Sequence, residues 1–249
     1  MSNKIVKGVF LSDIHLPYNI DLRPIFAYLK DLKPDEIVLG GDILDGPDHG
    51  VDSWTMDQVE KRGYQCYDRD VKLLKEFIND LTKAAPKAKI IFLEGNHEER
   101  YQRLVRRYPN TLKSRFRLDR DACPNAKWIP YGDYDSFYKV GDMLFTHGTI
   151  FPDAHSKKMA MAYLPNKVTY GHIHDFQSYT THNGDPRKPG RYAITAGCLC
   201  GKLPDYKKGQ PNKWINGFIT WYSRNGVTVS SPHIIEDGCF MVGGQIYEG

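Results

Sequence analysis

Five short clusters in the chain bring together residue types that hold cations or move protons: Asp13-Ile14-His15, Gly41-Asp42-Ile43-Leu44-Asp45, Gly95-Asn96-His97-Glu98, His147-Gly148 and Gly171-His172-Ile173-His174. A lone aspartate two residues from a histidine, or a lone His-x-His, is more often structural than functional. Five such clusters, rich in carboxylate and imidazole and flanked by glycine, point to metal ligation instead. In an extended segment, residues two apart face the same side. Asp13 with His15, and His172 with His174, are therefore expected to send both side chains of each pair into one cavity. The glycines let backbone pass close to an ion. Carboxylate, amide oxygen and imidazole without sulfur suit manganese, iron, zinc, cobalt or nickel, with manganese expected first. Calcium or magnesium sites would use more oxygen and less histidine.

The elements that must carry these clusters follow from hydropathy. Ile5 to Leu11 and Glu36 to Leu39 are short, partly β-branched runs that end in Ser12-Asp13 and Gly40-Gly41-Asp42, which reads as two buried strands. Between them Leu22, Ile25, Phe26 and Leu29 recur at helical spacing. A second helix is expected from Tyr67 to Ala85, with Val71, Leu74, Phe77, Ile78 and Leu81 on one face, and a third strand, Lys89 to Leu93, delivers Gly95-Asn96-His97. Sites in α/β sheets gather beyond the carboxyl ends of strands, so these three loops should share one site. After about Trp128 the pattern changes to short strands at Ser136 to Val140, Met143 to Thr146, Lys167 to Tyr170, Arg191 to Thr195, Trp214 to Tyr222 and Val227 to Ser230. They are expected to form a second sheet packed on the first. Asp185 to Gly190 reads as a surface turn.

A chain of 249 residues with 41% apolar content can bury a full core, and a single domain spanning 1–249 is the simplest expectation. No run has the roughly 18 uninterrupted apolar residues of a membrane helix, and Met1 to Lys7 lack a secretory apolar stretch. A cytoplasmic protein with no membrane partner is expected. Cys66, Cys123, Cys198, Cys200 and Cys239 form no CxxC pair, which argues against a disulfide framework or a zinc-thiolate site. The Cys198-Leu199-Cys200 spacing could place two sulfurs on one side of a strand, but packing is the plainer reading. The net charge of +4 favours anionic ligands only in a general way.

The order and content of the clusters resemble the calcineurin-like metallophosphoesterase family, whose pattern is DxH, GDxxD, GNH(D/E), H and GHxH. Every position is filled between Asp13 and His174, about two-thirds of the chain. The resemblance implies an α/β fold of two mixed sheets packed as a sandwich with helices on the outer faces. It implies that Asp13, His15 and His174 hold one divalent ion, that Asn96, His147 and His172 hold a second, and that Asp42 bridges them. It further implies that a hydroxide between the ions attacks phosphorus, that His97 assists the leaving group, and that the Asp45 carboxylate orients His97 and raises its pKa. The partner is then a phosphate-ester substrate, a monoester or diester that could be a nucleotide or nucleic acid.

Other residues leave alternatives open. Arg100, Arg103, Arg106, Arg107, Lys113, Arg115, Arg117 and Arg120 form the densest basic region. It reads as a solvated helix face and loop or, alternatively, as the phosphate track of a nuclease. Arg100, three residues beyond His97, is the one expected to reach a substrate phosphate. The irregular stretch from Gly46 to Trp54 should overhang the site, with His49 a candidate substrate contact or proton donor and Trp54 a stacking surface, or both simply packing the loop down. His155, His182 and His233 match no family position and read as packing or surface residues. A non-catalytic scaffold of the same fold is a third reading, and the intact ligand set counts against it.

Overall fold

A computed structural model describes residues 4–132, 135–149, 153–182, 190–201 and 213–249. The first sheet has the order β11-β10-β1-β2-β3-β4. Strands β1 (Val6–Leu11), β2 (Glu36–Leu39), β3 (Lys89–Leu93) and β4 (Lys127–Ile129) are parallel. The second sheet, β5-β6-β7-β9-β8, is built from β5 (Tyr138–Val140), β6 (Met143–Thr146), β7 (Lys167–Tyr170), β8 (Phe176–Thr181) and β9 (Arg191–Ala196). The antiparallel strands β10 (Asn216–Arg224) and β11 (Val227–Ile235) complete the first sheet. A small hairpin, β12 (Phe240–Val242) with β13 (Gln245–Tyr247), follows.

Strand alternation builds the layers. In β1, Val9 and Leu11 face a core shared with α1 (Arg23–Leu32) and α2 (Tyr64–Ala84), where they meet Ile25, Leu29, Leu74 and Leu81. The intervening Phe10 faces the other way, into a core between the sheets with Val38, Ile91, Phe145, Ile194 and Trp221. On the far side, α4 (His155–Ala162) lays Met159 and Ala160 on Val168 and Ala193. The result is the expected sandwich of two mixed sheets with helices outside, but β10 and β11, expected in the second sheet, instead extend the first, where β10 pairs antiparallel with β1. Among the described residues no helix is long and apolar enough to cross a membrane.

The helix that follows β3 and carries His97 is α3 (Asn96–Arg107). Pro109 follows its last turn, where a proline cannot continue the helix. Among the elements that the sequence reading did not anticipate are α4, the short strand β4, the edge strand β8 and the hairpin. The turn expected at Asp185 to Gly190 lies, apart from Gly190, outside the described residues.

Candidate metal centre

Parallel strands in both sheets end at the same edge of the molecule, and their loops meet there. The loop after β1 runs beside the loop after β2: the amides of Asp13, His15 and Leu16 donate to the carbonyls of Gly41, Asp42 and Ile43 at 2.8–3.0 Å. The loops after β6 and β7 close the other side, with Gly171 N–H donating to His147 O at 3.0 Å. Two glycines make this approach possible. A Cβ on Gly95 would stand 2.2 Å from Asp42 N and Oδ1, and one on Gly171 would stand 2.4 Å from Asp13 Oδ2.

One sequence expectation is corrected here. The ligand pairs are not extended: Asp13, His15, Asp42, His172 and His174 all have φ between 51° and 78°. This left-handed region is costly for residues with a Cβ and persists where the surroundings over-determine it, as at functional sites. The chain turns as it leaves each strand, so two-residue alternation does not set direction. Asp13 and His15 still reach one group, but His172 and His174 part company. His174 joins Asp13 and His15, while His172 joins Asp42 and His147.

The distances describe two adjoining nests of acceptor atoms. In one, His174 Nε2 is 3.1 Å from Asp13 Oδ1 and 3.2 Å from His15 Nε2. In the other, His147 Nε2 is 3.0 Å from Asn96 Oδ1, 3.2 Å from His172 Nδ1 and 3.3 Å from Asp42 Oδ2. Asp42 Oδ2 is also 4.0 Å from His15 Nε2, so it lies between the nests. The Nδ1–H of His147 donates to the Gly40 carbonyl at 2.8 Å, which leaves Nε2 a bare lone pair in the neutral ring. Asn96 Oδ1 and Asp42 Oδ2 are acceptors too, so of the atoms facing His147 Nε2 the His172 ring nitrogen is the one that could donate to it, and the cluster as a whole is rich in lone pairs that suit a cation. Ligand atoms bound at about 2.0–2.1 Å to one ion lie about 3.0–3.4 Å apart, and these separations match. The donor set therefore fits divalent ions.

Electrostatics point the same way. Burial works against the charged form of Asp42, but His147, His97 and His15 hold its carboxyl well below the usual range. Burial likewise opposes charge on His147, yet Asp42 and Asp13 lift it to about 9. A buried cluster that draws in a proton this strongly offers the same attraction to a metal ion.

His97 begins the first turn of α3. Its backbone N–H donates to Asp42 Oδ1 at 2.9 Å, and its ring Nε2 is 3.7 Å from Asp42 Oδ2. The contact with Asp45 differs from the one expected. His97 Nδ1–H donates to the Asp45 main-chain carbonyl at 2.6 Å, whereas the Asp45 carboxylate is nearer to His15 Nδ1 (3.4 Å) than to His97 Nδ1 (3.7 Å). The expected rise in basicity is accordingly absent. Burial, together with His15 and Arg100, overrides Asp42 and takes His97 down to about 4.

Arg100 and His49 are brought together: Arg100 Nη2 is 3.0 Å from His49 Nδ1, and Nη1 donates to the Asp45 and Pro47 carbonyls. A bidentate phosphate contact would need these same donors. Trp54 is 6% exposed and its carbonyl accepts from Tyr108 Oη at 2.7 Å, so it packs the loop and presents no stacking surface. Half of the basic region is matched by acids. Arg103 pairs with Asp52 and Glu99, Arg106 with Glu99, Arg117 with Asp119, and Arg120 with Asp121. Cys198 and Cys200 are buried, and their sulfurs lie against the carbonyls of Cys200 and Tyr18.

The residue that sequence reasoning undervalued is Glu98. Named in the sequence only as part of the Gly95-Asn96-His97-Glu98 cluster, it is fully buried, and its carboxylate accepts from the amides of Asp42 (3.0 Å), Leu44 (2.8 Å) and Gly95 (2.9 Å). It pins the Asp42 loop to the Asn96 loop. Burial and Asp42 push its pKa up to about 7. The available signal was its place directly after Gly-Asn-His.

This geometry defines an α/β sandwich protein with a histidine- and carboxylate-lined candidate metal centre at the strand ends. The model of the family described as calcineurin-like phosphoesterase matches residues 7–195, and the chain belongs to that family. The Gene 54 proteins of Mycobacterium phages L5 and D29 are similar to it at 25% and 26% identity, covering 100% of both chains. Vacuolar Protein Sorting 29 from Cryptosporidium parvum shares the fold at 12% identity, covering 98% of this chain and 99% of that one, with a TM-score of 0.50.

Proposed function

We propose that this protein is a two-metal phosphoesterase that hydrolyses a phosphate monoester or diester. The observation that supports it most is the pair of adjoining nests, one containing Asp42 and the other reaching within 4.0 Å of it at His15 Nε2, with His97 Nε2 3.7 Å from the same carboxylate. In this reading Asp13, His15 and His174 hold one ion, Asn96, His147 and His172 the other, and Asp42 both. When bound, the two ions would supply an acidified water as nucleophile and neutralise charge on the phosphate.

The chain's own residues supply the remainder. Only two ligating carboxylates, Asp13 and Asp42, oppose two dications, so the loaded site keeps a positive balance that draws an anion. The Asp45 carbonyl holds His97 by Nδ1–H, which leaves Nε2 as the atom that carries a proton to the leaving oxygen. A neutral His97 must take up a proton before it can give one, and the attacking water is the group that loses one.

The test is hydrolysis of paired chromogenic substrates, a monoester and a diester, by metal-stripped protein refilled with manganese, alongside a nuclease assay. Turnover should require metal, and His97→Ala should lower it by about 10²–10⁴ with metal content unchanged. Metal-independent turnover, or a His97→Ala protein as active as the parent, would overturn the reading.

A further inference from the structure

The buried guanidinium of Arg100 is committed on three sides. It is 3% exposed; Nη1 donates to the carbonyls of Asp45 (3.2 Å) and Pro47 (2.9 Å), and Nη2 faces His49 Nδ1 at 3.0 Å. A guanidinium has donors and no acceptor. His49 Nδ1 must therefore accept, and the proton of the neutral ring must sit on Nε2. Burial and the Arg100 charge hold His49 below the usual imidazole range, which keeps that ring neutral. His49 itself is exposed, at the start of a one-turn helix capped by Asp48, whose carboxylate accepts from Gly50 N–H at 2.7 Å. Its ring meets that of His97 edge to face, with centroids 5.6 Å apart. A hydrogen-bond donor of fixed tautomer thus stands on an exposed residue whose ring is in contact with that of the buried His97.

We propose that Arg100 is a positioning residue that fixes His49 as an Nε2–H donor, and that His49 uses this N–H to bind a phosphate oxygen of the substrate. The proposal rests on the phosphoesterase reading. It gives Arg100 a role without substrate contact and gives the loop after Asp45 a direct part in recognition.

Arg100→Lys separates this from a merely structural role. Lysine keeps a cation and can donate to the Asp45 and Pro47 carbonyls, but it has no second nitrogen for His49. In zinc-loaded, diamagnetic protein, long-range proton–nitrogen spectra, with His49 assigned by its loss in His49→Ala, should show the Nε2–H tautomer in the parent and a mixture in Arg100→Lys. Inorganic phosphate, titrated by calorimetry, should bind roughly tenfold or more weakly to His49→Ala and to Arg100→Lys, with no further loss in the double variant. An Nδ1–H tautomer in the parent, or unchanged phosphate binding by His49→Ala, overturns the proposal. If the parent turns over no phosphate ester while both variants still lose phosphate affinity, the phosphoesterase reading fails and the His49 donor stands.

Discussion

Two histidines of this molecule, His147 at the strand ends and the partly buried His233 in β11, meet burial with opposite results. At the strand ends, His15, His147, His172 and His174 face carboxylates and one another's ring nitrogens from strained loops. On the helix-covered face of the first sheet, His233 sits in regular strand β11 among Tyr28, Phe218 and Phe240, with Thr220 Oγ1 at 2.9 Å from its Nε2. Burial lowers the basicity of an imidazole in both places. At His233 nothing opposes it and the pKa falls to about 4, whereas at His147 the converging Asp42 and Asp13 reverse it to about 9. Burial by itself makes a neutral packing residue. Surplus acceptor charge on a backbone locked by glycine contacts makes a place for a cation.

The largest effect should come from breaking that surplus. Asp42→Asn removes the carboxylate that stands between the two nests, and it should cut metal-dependent turnover by roughly a thousandfold or more. Metal analysis should show loss of bound ion in parallel. A variant that keeps full metal and full turnover would mean that Asp42 is a packing residue like His233, and the contrast between the regions would collapse.

Next in size is the pin beneath the site. Glu98→Ala leaves the amides of Asp42, Leu44 and Gly95 without their acceptor in a buried setting, at a cost on the order of 3 kcal/mol or more. Glu98→Gln, which keeps one acceptor oxygen, should lose less. Urea unfolding of the ion-free proteins measures both. A loss below about 1 kcal/mol for the alanine variant would show that the loops hold their shape without Glu98.

The contrast also explains what the sequence could and could not convey. The strands β1, β2, β3, β6 and β7 and helices α1 and α2 were legible because their apolar spacing is local and strong. Helix α4 was not, since the apolar part of its buried face is only Met159 and Ala160, beside the polar His155 and Ser156. Edge strand β8 has no fully buried residue to mark it. At the site, residue types and order named the cluster. The left-handed backbone, the split of His172 from His174, and the use of the Asp45 carbonyl in place of its carboxylate come from loops packed across large sequence separations. Arg100 shows this most clearly, because three partners about fifty residues away consume a side chain that spacing alone would aim at substrate.

The smallest effect tests the other half of the comparison. His233 stays neutral in the folded protein down to about pH 4, while in the unfolded chain it takes up a proton near the ordinary histidine value of 6.5. The unfolded state therefore binds more protons between those limits, and stability falls as the pH drops through that window. Above it, His233 adds no pH dependence. His233→Gln should flatten the decline of melting temperature between pH 6.5 and 4 relative to the parent, and leave the curve above pH 7 parallel to it. The difference between the two proteins isolates this residue, because the strand-end histidines contribute equally to both. Parallel curves throughout would mean that His233 is protonated in the folded state, and that the aromatic pocket does not keep it neutral.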